Sequence, residues 1–296
     1  MADLHIYMQL IVSGLLIGGV YALIALGLTL MFGVMRIVNF AHGEFVMFSM
    51  YLTYWIVTLS GVAPYTALPL VALSMFLFGI VVYILIIRRT LSSSMVVQIF
   101  ATVGLGLFMS NACLVAWTAD YRMLQSDIGR EIIHLAGVQI GMASFIAFTV
   151  AIVVALALFA FIAFTYTGKA IRATVQDRTA AQLVGINIDR IFMLAFALGT
   201  LLVGIAGALL APIFPVYPTA GLSFGLVSFV VVVLGGMGSM PGALLGGLII
   251  GMVEVLSGFL IDPSLKQAVY FVVFILVLIF RPNGLFGQKG AEEVGL

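Results

Sequence analysis

Apolar stretches of membrane-spanning length follow one another along nearly the whole chain, and they fix its solvent first. Residues 6–35, 37–59, 65–87, 95–119, 140–166 and 191–211 each read this way. Residues 221–261 form a longer run broken by "GGMGSMPGALLGG", and residues 267–280 form the last. A helix rises about 1.5 Å per residue, so about 20 apolar residues cross a hydrocarbon core of roughly 30 Å. Only 8% of the residues are charged and mean hydropathy is +1.30, whereas soluble domains carry about 25% charge. Strands of a membrane barrel would alternate polar and apolar residues, and these runs do not. The expectation is an all-α integral membrane protein. It is a polytopic bundle of about eight to nine apolar segments, some broken or re-entrant, forming a single unit over residues 1–296.

Loop charge gives an orientation. With the N-terminus outside, the inner loops carry Arg36, Arg88, Arg89, Lys169, Arg172, Arg178, Arg190, Arg281 and Lys289, against Arg122, Arg130 and Lys266 outside. Nine basic residues against three is a positive-inside bias, and it places the C-terminus inside. The first run begins near Met8 with no basic residue before it. It far exceeds the roughly 7–15 apolar residues of a signal-peptide core, so it reads as a retained span. Trp55, Trp117 and Tyr121 fall at expected outer ends, as in an aromatic belt. Prolines 212, 215 and 218 predict a stiff, extended outer connector. A formal net charge of +1 offers nucleic acid nothing, and the lone Cys113 excludes a disulfide framework.

Two places interrupt the runs: "NFAHGEF" early, and residues 235–242, "GGMGSMPG", late. Non-helical backbone at membrane depth persists only where protein or a wet cavity satisfies it. A pair of interrupted segments is the sequence sign of a transport route. Asn39, His42 and Glu44 either satisfy backbone groups freed at the break or line and gate the route, and Gly236, Gly238 and Ser239 are further candidates to line or gate it. His42 and Glu44, two positions apart, do not share a helix face. Glu254, the one acid inside the late run, is protonated, bonded to another helix or facing the route. Four G-x-x-x-G steps, at Gly14/Gly18, Gly221/Gly225, Gly242/Gly246 and Gly247/Gly251, predict close helix contacts, within a compact bundle or with a related partner.

The longest inner segment, residues 167–190, carries four basic residues and two aspartates. Residues 169–184 contain no Gly or Pro and predict one short helix. Gly185 suits a left-handed cap with Ile186 packing back, and Asn187 suits the start of the next span. Such a helix, tied to membrane spans at both ends, is a docking lever for a soluble partner. The chain needs that partner, because it holds no energy source. "TGKAI" has Ala170 after its lysine, so no G-x-x-x-x-G-K-[ST] phosphate cradle exists. No triad, H-E-x-x-H or intramembrane acid pair supports an enzyme, and no cofactor is expected.

"GLLIGGVYALIALGLTLMFGVMRIVNFAHGEF", "GKAIRATVQDRTAAQLVGINIDRIFMLAFALG" and "VVVVLGGMGSMPGALLGGLIIG", in this order, resemble the LivH-type branched-chain amino-acid ABC permeases. The resemblance implies a multi-pass permease of the bacterial inner membrane. Its partners would be a second permease of the LivM type, two cytoplasmic ATPase subunits and a periplasmic substrate-binding protein. It implies that residues 168–189 carry the coupling segment, with Gly168, Lys169, Arg172, Gln176, Asp177, Arg178 and Gly185 serving the ATPase. The substrate would be a branched-chain or other hydrophobic amino acid. Urea and amide importers share "NxAHGE"-like sequences, so those substrates stay open, as does a passive channel or ion-coupled carrier.

Overall fold

The computed structural model describes residues 2–124, 127–135 and 137–287. Lys289, counted above among the inner basic residues, lies outside the described residues. The helices are α1 (Ala2–Met35), α2 (His42–Ser60), α3 (Leu68–Val82), α4 (Arg88–Thr90), α5 (Met95–Trp117), α6 (Asp127–Arg130), α7 (Met142–Phe164), α8 (Tyr166–Gln176), α9 (Arg178–Leu183), α10 (Ile188–Leu210), α11 (Ala220–Gly235), α12 (Met240–Leu260) and α13 (Lys266–Phe280). A π-helical turn, Tyr83–Ile87, joins α3 to α4. Strands β1 (Ile132–Leu135) and β2 (Val138–Gly141) form an antiparallel hairpin ahead of α7, pairing Ile132 with Gly141 and Leu135 with Val138.

Among the described residues, six helical stretches are long and apolar enough to cross a membrane: His5–Met35, Pro64–Thr90, Met95–Trp117, Met142–Phe164, Ile188–Leu210 and Met240–Leu260. This corrects the expected eight to nine. The difference lies in residues 37–59, 221–235 and 267–280, which are apolar without being complete spans. Apolar composition reports the medium around a segment; it does not report the depth at which its helix starts.

The most central helix is α1. From Val20 to Phe32 every residue is buried. It packs against α12 along a seam of small residues. A Cβ on Gly18 would stand 2.8 Å from the Gly247 carbonyl oxygen, and one on Gly14 would stand 2.7 Å from Met252 Cα. A Cβ on Gly251 would run into Gly18. Two G-x-x-x-G steps therefore face each other within one chain, and the two backbones touch. The other two steps are also used internally: Gly221 and Gly225 receive Gly43, and Gly242 and Gly246 meet Gly235 and Val231. On the other side of α1 lies α10, with Gly27 against Gly199. Helix α3 packs on α10 where Gly79 meets Thr200 and Gly204 meets Met75.

The two ends of the bundle differ. One, the hairpin end, holds β1–β2, which Gln9 of α1 grips through Gln139, its Nε2 donating to the carbonyl at 2.6 Å and its Oε1 accepting the amide at 2.7 Å. The other, the loop end, holds α4, α8, α9 and the turn after α11. After α10 the chain makes a helical turn, with Phe214 N–H on the Leu210 carbonyl at 2.8 Å, before running extended through Val216. The proline connector is thus only partly extended. Trp117 stacks on Tyr51 at the hairpin end, with centroids 4.5 Å apart, and the Arg122 guanidinium lies 5.3 Å from the Trp55 ring.

The seam predicts a sharp positional contrast. Gly18→Ala is expected to lower stability by about 1–3 kcal/mol, because backbone must move to admit a methyl group. Gly104→Ala, where nothing lies within 4 Å, is expected to be neutral or slightly stabilising. Thermal unfolding of both in detergent checks this.

Candidate functional site

The first interruption turns the chain back into the bundle. Arg36, exposed and at φ 58°, closes the last turn of α1 by donating to the Phe32 carbonyl at 2.7 Å. Residues 37–41 then return alongside α1. His42, the first residue of α2, is fully buried, with Nε2 2.9 Å from the Ile24 carbonyl oxygen. Ile24 lies eleven residues before the end of α1, so α2 begins about 16 Å inside the loop end. Asn39, also buried, organises the start: its Oδ1 accepts from the Ala41 amide at 3.1 Å. That side chain satisfies a backbone donor that no water could reach.

A second helix start meets this one. Gly43 lies on α11 so closely that a Cβ would overlap the Gly221 carbonyl oxygen, and Glu44 backbone atoms lie just beyond. Any larger residue at position 43 would separate the two helices. Both N-termini therefore lie halfway along the bundle, where the positive ends of their dipoles add. Glu44 points away from His42, as their spacing requires, toward α5. A Cβ on Gly106 would stand 3.3 Å from its Oε2. Phe40 stacks on Phe229 with centroids 5.0 Å apart, and Phe40, Leu222 and Leu226 are exposed. Leu222, Leu226 and Phe229 are spaced to share one face of α11. The junction thus presents an apolar face with a carboxylate at its edge.

The second interruption lies elsewhere. α11 ends at Gly235, and Gly236 and Gly238 take φ values of 101° and 83°, a region that L side chains rarely enter. Ser239 caps α12 by accepting from the Gly242 amide at 3.2 Å. This turn touches Gly33 near the loop end of α1 and is backed by residues 284–287, with the Leu285 amide on the Leu234 carbonyl at 2.8 Å. The expected candidates therefore divide into two groups. Asn39, His42 and Glu44 lie at the half-helix junction; Gly236, Gly238 and Ser239 lie at the loop end.

Glu254 belongs to neither group. Lys266, which opens α13, donates to its Oε1 at 2.7 Å, and Tyr21 and Tyr270 lie beside it. Its Oε2 has no hydrogen bond of regular geometry among the described residues. Glu254 is thus tied to the start of α13.

At the loop end the expected single helix over residues 169–184 is two. Asp177 leaves helical geometry at φ −154° and ψ 110°, and its Oδ1 accepts from the Thr179 and Ala180 amides at 2.8 and 3.0 Å. A short acid that can cap the backbone competes with helix propagation. Gly185, at φ 87°, donates to the Gln182 carbonyl, and Ile186 donates to Ala181, a Schellman cap. Asn187 accepts from the Arg190 amide at 3.1 Å. Gly168 is buried against the end of α7, whereas Lys169, Arg172, Gln176 and Asp177 are exposed. Sequence reasoning missed the neighbouring cluster, in which Asp189 accepts from Tyr83 at 2.9 Å and pairs with Arg88 at 3.0 Å. No pattern within either segment marks that meeting. No group of three His, Cys, Asp or Glu side chains among the described residues could hold a metal ion.

Residues 10–278 match the family described as branched-chain amino acid transport system permease component. The chain is 31% identical over 307 residues to the high-affinity branched-chain amino acid transport system permease protein BraD of Pseudomonas aeruginosa, covering 99% of this chain and all of the relative. It is 31% identical to LivH of Escherichia coli K12, covering 97% and 98%. A shorter similarity, 33% over 42% of the chain, links it to the ribose import permease protein RbsC of Haemophilus influenzae. No solved structure gives a significant match.

Lys266→Met would leave the Glu254 carboxylate unpaired. Because Lys266 is 41% exposed, the expected loss is about 1–3 kcal/mol, below that for a fully buried pair. Adding Glu254→Gln is expected to recover most of it, as read from unfolding transitions of the single and double variants.

Proposed function

The chain belongs to the branched-chain amino-acid transport system permease family, and from that membership we propose that it is the membrane-spanning subunit of an ABC importer for branched-chain or other hydrophobic amino acids. The observation that carries this is the family match over residues 10–278, which spans the half-helix junction, the loop-end helices and the late glycine turn together. The subunit resides in the bacterial inner membrane, with its N-terminus outside and its loop end in the cytoplasm; the excess of arginine and lysine there supports that orientation. A second permease, two ATPase subunits and a periplasmic binding protein complete the importer.

In this reading the route runs past the junction of α2 and α11. The exposed face of Phe40, Leu222 and Leu226 suits an aliphatic side chain. The two helix N-termini suit a carboxylate, and Glu44 suits an ammonium group. The ATPases dock on α8 and α9, where Leu183 and Val184 are exposed beside Lys169, Arg172 and Gln176. ATP binding moves these short helices, and the movement opens the junction alternately to the two sides.

Reconstituted with its partners, the chain is expected to support ATP-dependent leucine uptake into liposomes, and none without the ATPases. Uptake that ignores ATP would make it a passive pore or an ion-coupled carrier, and preference for urea over leucine would move it to the amide branch. Ala173→Pro, inside α8, removes a helix donor. It is expected to leave ATP hydrolysis in place while uptake falls roughly tenfold or more; unchanged uptake would take α8 out of the force path.

A further inference from the structure

At the loop end, one side chain joins the cytoplasmic helices to the interrupted segment. Arg178 is the first residue of α9. Its Nη2 donates to the Met35 carbonyl at 2.9 Å and reaches the Val34 carbonyl at 3.4 Å. These are carbonyls of the last turn of α1, which have no acceptor role within the helix and lie at its negative end. The guanidinium lies 5.0 Å from the Phe192 ring of α10, which fixes it from the other side. The residue as a whole is exposed; partial desolvation, and then the charge of nearby Arg36, lower its pKa from the usual guanidinium value. The Asp177 cap holds the start of α9, so Arg178 moves with that helix.

The residue after Met35 is Arg36, at φ 58°. From there only residues 37–41 separate the capped end of α1 from His42 at the half-helix junction. Arg172 makes a parallel contact from α8, donating to the Ala163 carbonyl near the end of α7 at 3.2 Å. That contact reaches a helix with no interruption beside it. Arg178, by contrast, caps the helix end from which residues 37–41 return.

We propose that Arg178 is the positioning residue through which movement of α9 reaches the interrupted segment 36–41 and hence the junction of α2 and α11. It acts from within the permease, as a cap on α1, and is not a contact for the ATPase. The proposal rests on the importer reading above and names the link which that reading requires.

The test uses the assembled importer, with Cys113→Ala as background and Val38→Cys, half-buried within the interrupted segment, as the labelling reporter. ATP binding is expected to change thiol labelling at position 38 at least about twofold when Arg178 is present. With Arg178→Gln, the ATPases are expected to co-purify in normal amounts and to hydrolyse ATP. Leucine uptake is expected to fall roughly tenfold, and the ATP-dependent labelling change to disappear. Loss of ATPase co-purification would make Arg178 a docking contact and overturn the proposal, as would normal uptake with a normal labelling response. If Arg178→Gln is not recovered folded, Phe192→Leu, which removes the ring behind the guanidinium, must show the same split in smaller measure; if it does not, the proposal fails. Absence of ATP-driven uptake by the parent protein would overturn the importer reading itself, and this proposal with it. Parent uptake with a variant that behaves normally overturns this proposal alone.

Discussion

Every backbone amide and carbonyl in an apolar medium needs a partner within the protein, and that requirement arranges the whole molecule. Six helices meet it by spanning. Where the chain leaves helical geometry within the bundle, it does so under cover: residues 37–41 run along α1, with Asn39 supplying the acceptor for Ala41. The same requirement explains the position of α1. A helix buried along most of its length can shelter an irregular segment that lipid would not tolerate, and its close seam with α12 keeps that shelter in place.

The role proposed for the returning segment rests on what surrounds it. It starts at a helix end held by Arg178 and finishes at a buried histidine. It lies between the water-facing helices α8 and α9 and the meeting point of two helix starts. A full span in its place would leave helical backbone bonded to itself, with little reason to move. A short strand anchored at both ends can shift as a unit between two arrangements.

Much of this was legible in the letters and some was not. The membrane class follows from uncharged runs, and the interruption at "NFAHGEF" from polar residues among apolar ones. Gly185 and Asn187 announce their caps because those motifs are local. The number of spans is not legible, because it turns on small margins: α2 is long enough to span but carries His42, Glu44 and several Tyr, Ser and Thr residues, and α11 is apolar but only 16 residues long. The division at Asp177 was within reach, since a short acid amid helix formers can cap as easily as propagate. The partners of the glycine steps were out of reach. Gly221 and Gly225 signal a close contact, but nothing near them names Gly43 as its other half, and nothing near Arg178 names Val34 and Met35. Such pairings join segments far apart in the chain and are set by tertiary packing.

The meeting of Gly43 with Gly221 also bears on how the protein is made. When α2 leaves the ribosome, the segment that will cover its first turn has yet to be translated, and four spanning helices must come first. Until then Gly43 lacks its lasting contact, although His42 already has its partner, the Ile24 carbonyl of α1. The early half of the chain stays provisional until α11 arrives, and a ribosome stalled before α11 would leave α2 without its lasting partner.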